Sequence, residues 1–293
     1  MNGWIILDKP LGLTSAQAVA AVKRIARGSG AGRLKVGHGG TLDPLATGVL
    51  PIALGEATKL TGRLLNGDKE YCFTVRFGAA TATDDAEGEI IETSDVRPTA
   101  ADIAAVLPRF AGPISQRPPA YSALKVGGER AYRLARAGQA VEMAERGVTV
   151  HAVDLVASDA DTATLRVRCS KGTYVRSLAR DIARALGSVG HVTMLRRTAA
   201  GPFGEDRAIS LDKLAEIAME RGLAAAVLLL TTGLDDIPAL AVDPGEAERL
   251  QTGRTLAGRP EPDGPYVAML GEVPVALVGV HAGMVRVERG FNL

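Results

Sequence analysis

The sequence predicts a chain that combines β-strands with α-helices, in one large domain followed by a small one. Apolar and polar residues alternate in several stretches, most clearly in 69–77, as is typical of strands with one buried face. Apolar residues recur at helical spacing after Thr14 and Ser15, either of which can act as the N-cap. From about residue 231, short apolar segments are separated by Gly and Pro, which predicts a small β domain. The length of 293 residues suits this division.

The composition is that of a globular protein whose larger part is mildly basic. Hydrophobic residues make up 46% of the chain, charged residues make up 23%, and the formal net charge is +1. Residues 231–293 hold 5 Lys or Arg and 9 Asp or Glu, which leaves 29 basic and 24 acidic residues before them. A basic body with an acidic tail suits a partner that carries phosphate.

The cysteines and histidines favour a reducing compartment and no metal site. Cys72 and Cys169 are far apart in alternating stretches, so two free thiols in a cytoplasmic protein are expected. The four histidines have no ligand spacing with them, so no metal is predicted. Residues 1–4 do not resemble the start of a signal peptide, and the apolar run 223–230 is too short to span a bilayer.

The first elements predicted are a strand from Trp4, which Pro10 ends, and the amphipathic helix that follows Thr14 and Ser15. The end of this helix and the next loop are basic, with Lys23, Arg24, Arg27, Arg33 and Lys35. A solvated surface and a phosphate-binding ledge beside the following loop explain this cluster equally well, so both interpretations stay open.

A glycine-rich loop over residues 36–50 is the most unusual stretch of the chain. Its glycines permit backbone conformations closed to other residues, and Pro44 pushes Asp43 toward an extended conformation. The apolar run 49–55 predicts a buried strand that anchors the loop. A carboxylate held in this way is a candidate catalytic group, although Asp-Pro also starts ordinary turns. His38 in the same loop is more typical of a local hydrogen bond than of catalysis.

In strand 69–77 the alternation places Tyr71 on one face with Phe73, Val75 and Phe77. Tyr71 is therefore either a core residue or an aromatic surface on which a base can stack. A turn-rich acidic loop over 78–88 and an amphipathic helix over 99–107 follow.

Residues 116–128 combine prolines, glycines and basic residues, and a helix is predicted over 129–138. Arg130 and Arg133 lie along the surface of that helix, and Gly127-Gly128 could act as a hinge. A charged surface helix and an RNA-contacting segment are both consistent with this pattern.

Two strands, 148–155 and 162–169, are predicted to pair, and the region 168–197 then carries seven basic residues and one acidic residue. Arg176, Arg180 and Arg184 recur every four residues, so a helix aligns them on one face. Either this face is solvated or it meets an RNA backbone. The residues predicted to contact the backbone are Lys171, Arg180, Arg184, Arg196, Arg197, Arg130 and Arg133. A last helix over 209–222 is expected before the small domain.

The stretch GHGGTLDPLATGVLPIALGEATK, residues 37–59, resembles the catalytic motif of the TruB-type pseudouridine synthases. The stretches LDKPLGLTS, KEY, KGTYVRSLARDIA and HVTMLRR resemble other motifs of this family. The resemblance implies an α+β fold with a mixed, largely antiparallel central sheet and an active cleft across its centre. It divides the chain into a catalytic domain over 1–230, with a mobile insertion over about 117–147, and a small PUA-like β domain over 231–293.

The resemblance also implies roles for single residues. Three residues are implied to be catalytic: Asp43 is the nucleophile, Arg176 pairs with it, and Tyr71 stacks on the target base and can help to remove the proton at C5. The residues implied to bind the substrate base are His38, as a wedge in the RNA stack, Tyr71, Tyr174 and Leu195. Lys9 and Pro10 support the catalytic loop. Ala82 replaces an aspartate usual in the family, so no catalytic weight falls on the loop 78–88.

The implied reaction converts uridine to pseudouridine at position 55 in the T-loop of tRNA. It needs no redox change, metal or nucleotide, so no cofactor is expected. The implied partner is the T-arm of tRNA, bound by a monomer without an obligate protein partner or a membrane. Two alternatives stay open: a guide-RNA-dependent pseudouridylase subunit, and a tRNA-binding or tRNA-folding module whose catalysis is secondary. A metal-dependent RNA hydrolase lacks the clustered acids or histidines it would need.

Overall fold

The computed structural model describes residues 1–122, 124–139 and 141–293, so Ala123 and Ala140 of the predicted insertion lie outside the described residues. The strands of the described residues are β1 (Gly3–Lys9), β2 (Val36–His38), β3 (Ala46–Leu54), β4 (Lys69–Phe77), β5 (Ala79–Thr81), β6 (Ile90–Thr93), β7 (Gly112–Gln116), β8 (Lys125–Val126), β9 (Glu129–Arg130), β10 (Arg146–Ser158), β11 (Thr162–Cys169), β12 (Gly190–Ala200), β13 (Phe203–Gly204), β14 (Leu228–Leu229), β15 (Ala239–Ala241), β16 (Gly264–Leu270), β17 (Val273–His281) and β18 (Met284–Gly290). The helices are α1 (Ser15–Gly28), α2 (Thr61–Asn66), α3 (Ala100–Val106), α4 (Ala131–Arg136), α5 (Val175–Ala185), α6 (Leu211–Glu220) and α7 (Pro244–Gln251).

The larger sheet runs in the order β14-β1-β3-β12-β4-β11-β10-β7, with β2 beside β3 and β13 beside β12. Every pairing in it is antiparallel except that of β12 with β3, which is parallel. The predicted α+β fold with a mixed, largely antiparallel sheet is therefore confirmed. The parallel pair joins the loop strand β3 to β12, placing Leu195 opposite Ala46.

Helices cover different parts of this sheet and bury its apolar side chains. Helix α5 buries Leu178 and Ile182 among residues of β4 and β11, such as Phe73 and Leu165. Helix α1 packs with α6 over β1 and β3, and Val22 lies in that cluster. The centre of the sheet is thus rigid where β3, β12 and β4 meet.

The smaller sheet runs in the order β15-β16-β17-β18 and shares a core with the larger one. Phe291, after β18, is buried in the same cluster as Trp4 and Phe203. The indole nitrogen of Trp4 donates to the carbonyl of Leu230 at 3.0 Å. The boundary at residues 230 and 231 stays a prediction, because this packing is continuous across it.

Most predicted elements are confirmed, including the strand over 69–77 and the pairing of β10 with β11. Thr14 is the N-cap of α1 and forms a reciprocal capping box with Gln17. The insertion differs: Gly127 and Gly128 form the tight turn of the β8–β9 hairpin, with φ of +60° and +91°. Two successive positive φ angles suit a two-residue hairpin turn, and the role of these glycines as a hinge stays a prediction.

No helix in the described parts of the chain is long and apolar enough to cross a membrane. Among the described residues, no group of three or more His, Cys, Asp or Glu is arranged to hold a metal ion.

Candidate active site

The loop that carries Asp43 lies between β2 and β3 and is fixed by hydrogen bonds on both sides of the carboxylate. The buried Ser15 hydroxyl accepts from the Leu42 amide at 2.8 Å and lies 3.1 Å from the Leu42 carbonyl. The Gly12 amide donates to the carbonyl of Pro44 at 2.8 Å. The backbone on each side of Asp43 is thus bonded to the start of α1 and to the segment before it.

A buried lysine supports the same loop from below. The Lys9 ammonium donates to the carbonyls of Leu13 at 2.6 Å, Pro10 at 3.0 Å and Pro44 at 3.4 Å. Burial lowers the pKa of Lys9 to about 8, against the opposing charge of Asp43. These contacts agree with the supporting role that the resemblance implies for Lys9.

Arg197 is buried beneath the loop rather than exposed to RNA. Its guanidinium donates to the carbonyls of Val49 at 2.7 Å, Gly40 at 3.3 Å and Thr41 at 3.4 Å. Its exposed fraction is 1%, so it cannot make the predicted contact with an RNA phosphate. Gly48 allows the close approach, since a Cβ there would lie 2.2 Å from the Arg197 carbonyl oxygen. Arg197 instead holds the backbone of the loop.

Asp43 forms an ion pair with Arg176, and the two nearest atoms are 2.8 Å apart. The Arg176 side chain is only 8% exposed, whereas that of Asp43 is 45% exposed. A fixed cation therefore holds a carboxylate that solvent and a ligand can reach. The guanidinium also donates to the carbonyls of Thr83 at 2.9 Å and Tyr121 at 3.1 Å.

A second carboxylate, Asp85, lies 3.2 Å from the other terminal nitrogen of Arg176. Asp85 is buried and lies in the loop 78–88, for which the comparison with the family motif predicted no catalytic role. That expectation considered only Ala82, where the family usually has an aspartate, and did not include the contact between Asp85 and Arg176. The sequence signal that could have revealed this contact is the pair of adjacent acidic residues, Asp84 and Asp85. It matches a pair of arginines, Arg176 and Arg180, that lie one helical turn apart.

Six predicted site residues line one cleft of about 330 Å³: Asp43, Tyr71, Tyr174, Arg176, Leu195 and the buried Arg197. Its volume is within the range of small-ligand sites. Tyr71 is half-buried where two core clusters meet, and burial raises its pKa. Burial also raises the pKa of Tyr174. The cleft therefore combines an apolar wall and two neutral phenols with one ion pair.

His38 lies on β2 and does not line this cleft. It is half-buried, and within the described residues its Nδ1 has no hydrogen-bond partner. Burial, and then the positive charge of Arg197, lower its pKa. A neutral imidazole near the loop that carries Asp43 is the result.

The arginines predicted to contact RNA fall into two groups. Arg180 is bonded to Asp84 at 2.9 Å and to Asp181 at 3.0 Å, and Arg196 is bonded to both Asp8 and Glu205. Both guanidiniums are bonded to acidic side chains of the protein itself, whereas contacts with the RNA backbone were predicted. The spacing of residues in the sequence does not reveal such partners. The exposed members of the set are Arg130, Arg133, Lys171 and Arg184.

The basic cluster at the end of α1 and in the segment that follows it is not beside the loop that carries Asp43. Ser15 at the start of α1 contacts that loop, and the helix runs away from it for about 20 Å. The Lys35 carbonyl accepts from the Gly55 amide, just beyond the end of β3 that is remote from Asp43. A phosphate ledge next to Asp43 is therefore excluded for this cluster.

Comparisons with known proteins identify the family. The family described as TruB family pseudouridylate synthase (N terminal domain) matches residues 25–175, which is more than half of the chain. The family described as tRNA pseudouridylate synthase B C-terminal domain matches residues 176–234.

The chain belongs to the TruB family of pseudouridylate synthases. It is an isomerase, as members of this family are. A protein of Novosphingobium aromaticivorans named tRNA pseudouridine synthase B is 59% identical over 100% of this chain and 98% of that protein. One of the same name from Zymomonas mobilis is 53% identical over 100% of this chain and 96% of that protein.

Solved structures of the same fold agree with this TruB assignment. The chain superposes on a chain of a Cbf5-Nop10-Gar1 complex with a TM-score of 0.75 and 28% identity, covering 99% of this chain and 85% of that one. A structure of an H/ACA RNP bound to a substrate RNA containing 2′-deoxyuridine matches with the same TM-score and 26% identity, again over 99% and 85%. The pseudouridine synthase fold is thus established for the whole chain.

Proposed function

We propose that this chain forms pseudouridine at uridine 55 in the T-loop of tRNA and that Asp43 is the catalytic carboxylate. The observation that carries the proposal is the Asp43–Arg176 ion pair, half open to solvent in a cleft lined by Tyr71 and Leu195. The tRNA substrate is supported by the name shared by full-length relatives at 59% and 53% identity.

The reaction is an isomerisation, so every atom of the uridine is retained. The C1′–N1 bond breaks, the uracil turns, a C1′–C5 bond forms, and the proton lost from C5 is balanced by one gained at N1. The target base must first leave the RNA stack, as in other enzymes that act on a base. The cleft suits this step because an everted uracil can stack on Tyr71 and contact Leu195.

Asp43 has three possible roles at the sugar–base junction. Its carboxylate can attack C1′, attack C6 of the ring, or take a proton from C2′ to give a glycal. In all three routes one oxygen must be free while the carboxylate is held in place. Arg176 supplies that hold through a charge-assisted hydrogen bond at 2.8 Å, and the exposure of Asp43 leaves the rest of the group accessible.

Tyr71 suits the stacking role best. Because burial raises its pKa, the phenol is protonated at neutral pH and can donate a hydrogen bond to a ring oxygen. Removal of the C5 proton by Tyr71 would require the phenolate, which burial disfavours. We therefore assign Tyr71 to binding and orienting the base.

Substrate contacts outside the cleft are assigned to exposed cations. Lys171 lies before α5, Arg184 lies in the last turn of α5, and Arg130 and Arg133 lie on the insertion. Their positive charges suit contacts to phosphates of the T-arm. We propose no such role for Arg180, Arg196 or Arg197, whose guanidiniums are bonded within the protein.

The direct test incubates the purified chain alone with an unmodified tRNA transcript and maps pseudouridine by chemical adduct and primer extension. We expect one modified position, uridine 55, and none in a transcript with cytidine there. Modification that requires an added guide RNA would support the guide-dependent alternative instead. Tight tRNA binding without any pseudouridine would support the RNA-folding alternative.

A further inference from the structure

Helix α5 presents two arginines, one turn apart, to the same two segments of the chain. Arg176 contacts the loop 82–85 and the segment 117–121 through the carbonyls of Thr83 and Tyr121. Arg180 contacts the same loop through Asp84, at 2.9 Å, and the same segment through the carbonyl of Arg117, also at 2.9 Å. Each guanidinium therefore connects the loop 82–85 to the segment 117–121. Of the two, Arg176 also contacts Asp43.

The Arg180–Asp84 pair is withdrawn from solvent. The side chains of Arg180 and Asp84 are 16% and 14% exposed, and burial raises the pKa of Asp84 against the charge of Arg180. Ion pairs this buried often add little to stability compared with apolar residues of similar size, because both charges lose their hydration. Stability alone is therefore a weak explanation for the buried Arg180–Asp84 ion pair.

The backbone of Asp84 is also constrained. Its φ is +58°, in the left-handed region, and its carbonyl accepts from the Val192 amide at 3.0 Å where β12 has an irregular register. This conformation places the Asp84 carboxylate toward Arg180 while the next residue, Asp85, contacts Arg176. The two residues of this loop that contact Arg176, Thr83 and Asp85, directly flank Asp84, so a displacement of Asp84 would act on both contacts.

The other end of the bridge is the start of the insertion. The Arg117 carbonyl accepts from the Ser177 hydroxyl at 2.8 Å as well as from Arg180. Four residues later, the Tyr121 carbonyl accepts from the same terminal nitrogen of Arg176 that pairs with Asp43. The Arg176 guanidinium therefore connects the insertion directly to the carboxylate of Asp43. Arg180 holds the insertion at the residue where it begins, Arg117.

We propose that Arg180 and Asp84 are positioning residues: their ion pair holds the loop 82–85 and the segment 117–121 so that Arg176 stays against Asp43. The pair touches no substrate and acts on the reaction only through Arg176. The inference rests on the proposed function for the role of Asp43. This positioning role differs from the phosphate contact that helical spacing predicts for Arg180. A positioning role predicts a slower reaction with little change in RNA Kd, whereas a phosphate contact predicts a change in RNA Kd.

The test compares Arg180→Gln, Asp84→Asn and their double variant by single-turnover pseudouridine formation at saturating RNA, with RNA Kd measured separately. Asn tolerates a positive φ, so Asp84→Asn removes the charge without disturbing the backbone. We expect each single variant to slow the reaction about tenfold or more, because small misplacement of catalytic groups is costly. RNA Kd should stay within about threefold, and the double variant should be no slower than the slower single one.

Arg180→Lys tests the geometry of the pair. Lysine keeps the charge but lacks the fork that reaches Asp84 and the Arg117 carbonyl together, so we expect a rate between those of wild type and Arg180→Gln. The matched control is Arg259→Gln. Arg259 is 18% exposed, lies 3.0 Å from Glu246 and donates to the Ala241 carbonyl, but it lies in the part of the chain that forms the smaller sheet. This control should lose thermal stability and keep its single-turnover rate.

Three results would overturn the proposal: single-turnover rates within about twofold of wild type, additive effects in the double variant, or a change confined to RNA Kd. If Arg180→Gln does not fold, Asp84→Asn and Arg180→Lys decide by the same criteria. Failure of the proposed function is separate, because it would appear as wild-type protein that leaves uridine 55 unmodified. The rates would then be measured on whichever RNA the wild type does modify.

Discussion

One guanidinium, that of Arg176, holds two carboxylates: its terminal nitrogens lie 2.8 Å from Asp43 and 3.2 Å from Asp85. Asp85 is buried and Asp43 is open to the cleft, so the same cation joins a carboxylate of the protein interior to one that solvent can reach. Asp43 is thus paired with a residue 133 positions away in the chain. This relationship leads to the predictions below.

Arg176→Lys should slow pseudouridine formation about a hundredfold while leaving the protein folded. A lysine ammonium keeps one positive charge but cannot contact both carboxylates and the carbonyls of Thr83 and Tyr121 from fixed directions. Single-turnover rates and thermal unfolding of both proteins provide the check. A lysine variant as fast as wild type would show that charge alone is needed.

Tyr71→Phe should bind the RNA as tightly as wild type and react about tenfold more slowly. Phenylalanine keeps a stacking face but loses the phenol, whose raised pKa keeps it protonated as a donor. Tyr71→Leu is the matched comparison, and it should weaken binding by about 1–3 kcal/mol through lost stacking. Equal rates for wild type and Tyr71→Phe would limit Tyr71 to stacking.

Local features of the chain were predictable from the sequence, because local forces determine them. Alternation predicted the strand that carries Tyr71, and Thr14 or Ser15 before apolar residues at helical spacing predicted the start of α1. The glycines and Pro44 correctly indicated a stiff loop around Asp43. The pairing of Asp43 with Arg176 did not follow from spacing and entered only through resemblance to the family.

The partners of the basic residues were not predictable, because they are distant in sequence. The carbonyls that hold Arg197 belong to residues about 150 positions earlier, and the acids that hold Arg196 lie on β1 and after β13. A count of charges cannot separate such buried guanidiniums from exposed Arg184. The contribution of Asp85 was missed for the same reason.

Arg184→Ala and Arg197→Met should separate these two classes of arginine. Arg184 is exposed, so its loss should weaken RNA binding and reduce the slope of log K against log salt by about one. Arg197→Met leaves three backbone carbonyls without their donor and should lower the free energy of unfolding by about 3 kcal/mol. Salt-dependent binding and urea denaturation test both. An unchanged salt slope for Arg184→Ala would remove its phosphate role.

His38 should make stability depend on pH. Its pKa in the folded protein is lowered from 6.5, mainly by burial, so the unfolded chain binds the proton more readily below that value. Protonation of His38 in the unfolded chain therefore lowers the free energy of unfolding at pH values below 6.5. This loss of stability becomes smaller as the pH rises toward 6.5 and is absent above it. Relative to His38→Gln, wild type should become more stable between about pH 5 and pH 7. Urea denaturation at both pH values checks this, and a pH-independent difference between the two proteins would contradict it.

The most direct measurement is pseudouridine formation at uridine 55 by Asp43→Asn under single-turnover conditions, beside RNA binding by the same protein. Asparagine keeps the size of the side chain and removes its charge. We predict no detectable pseudouridine, with tRNA affinity within about tenfold of wild type, a difference of about 1.4 kcal/mol. Full activity in purified Asp43→Asn would contradict the account.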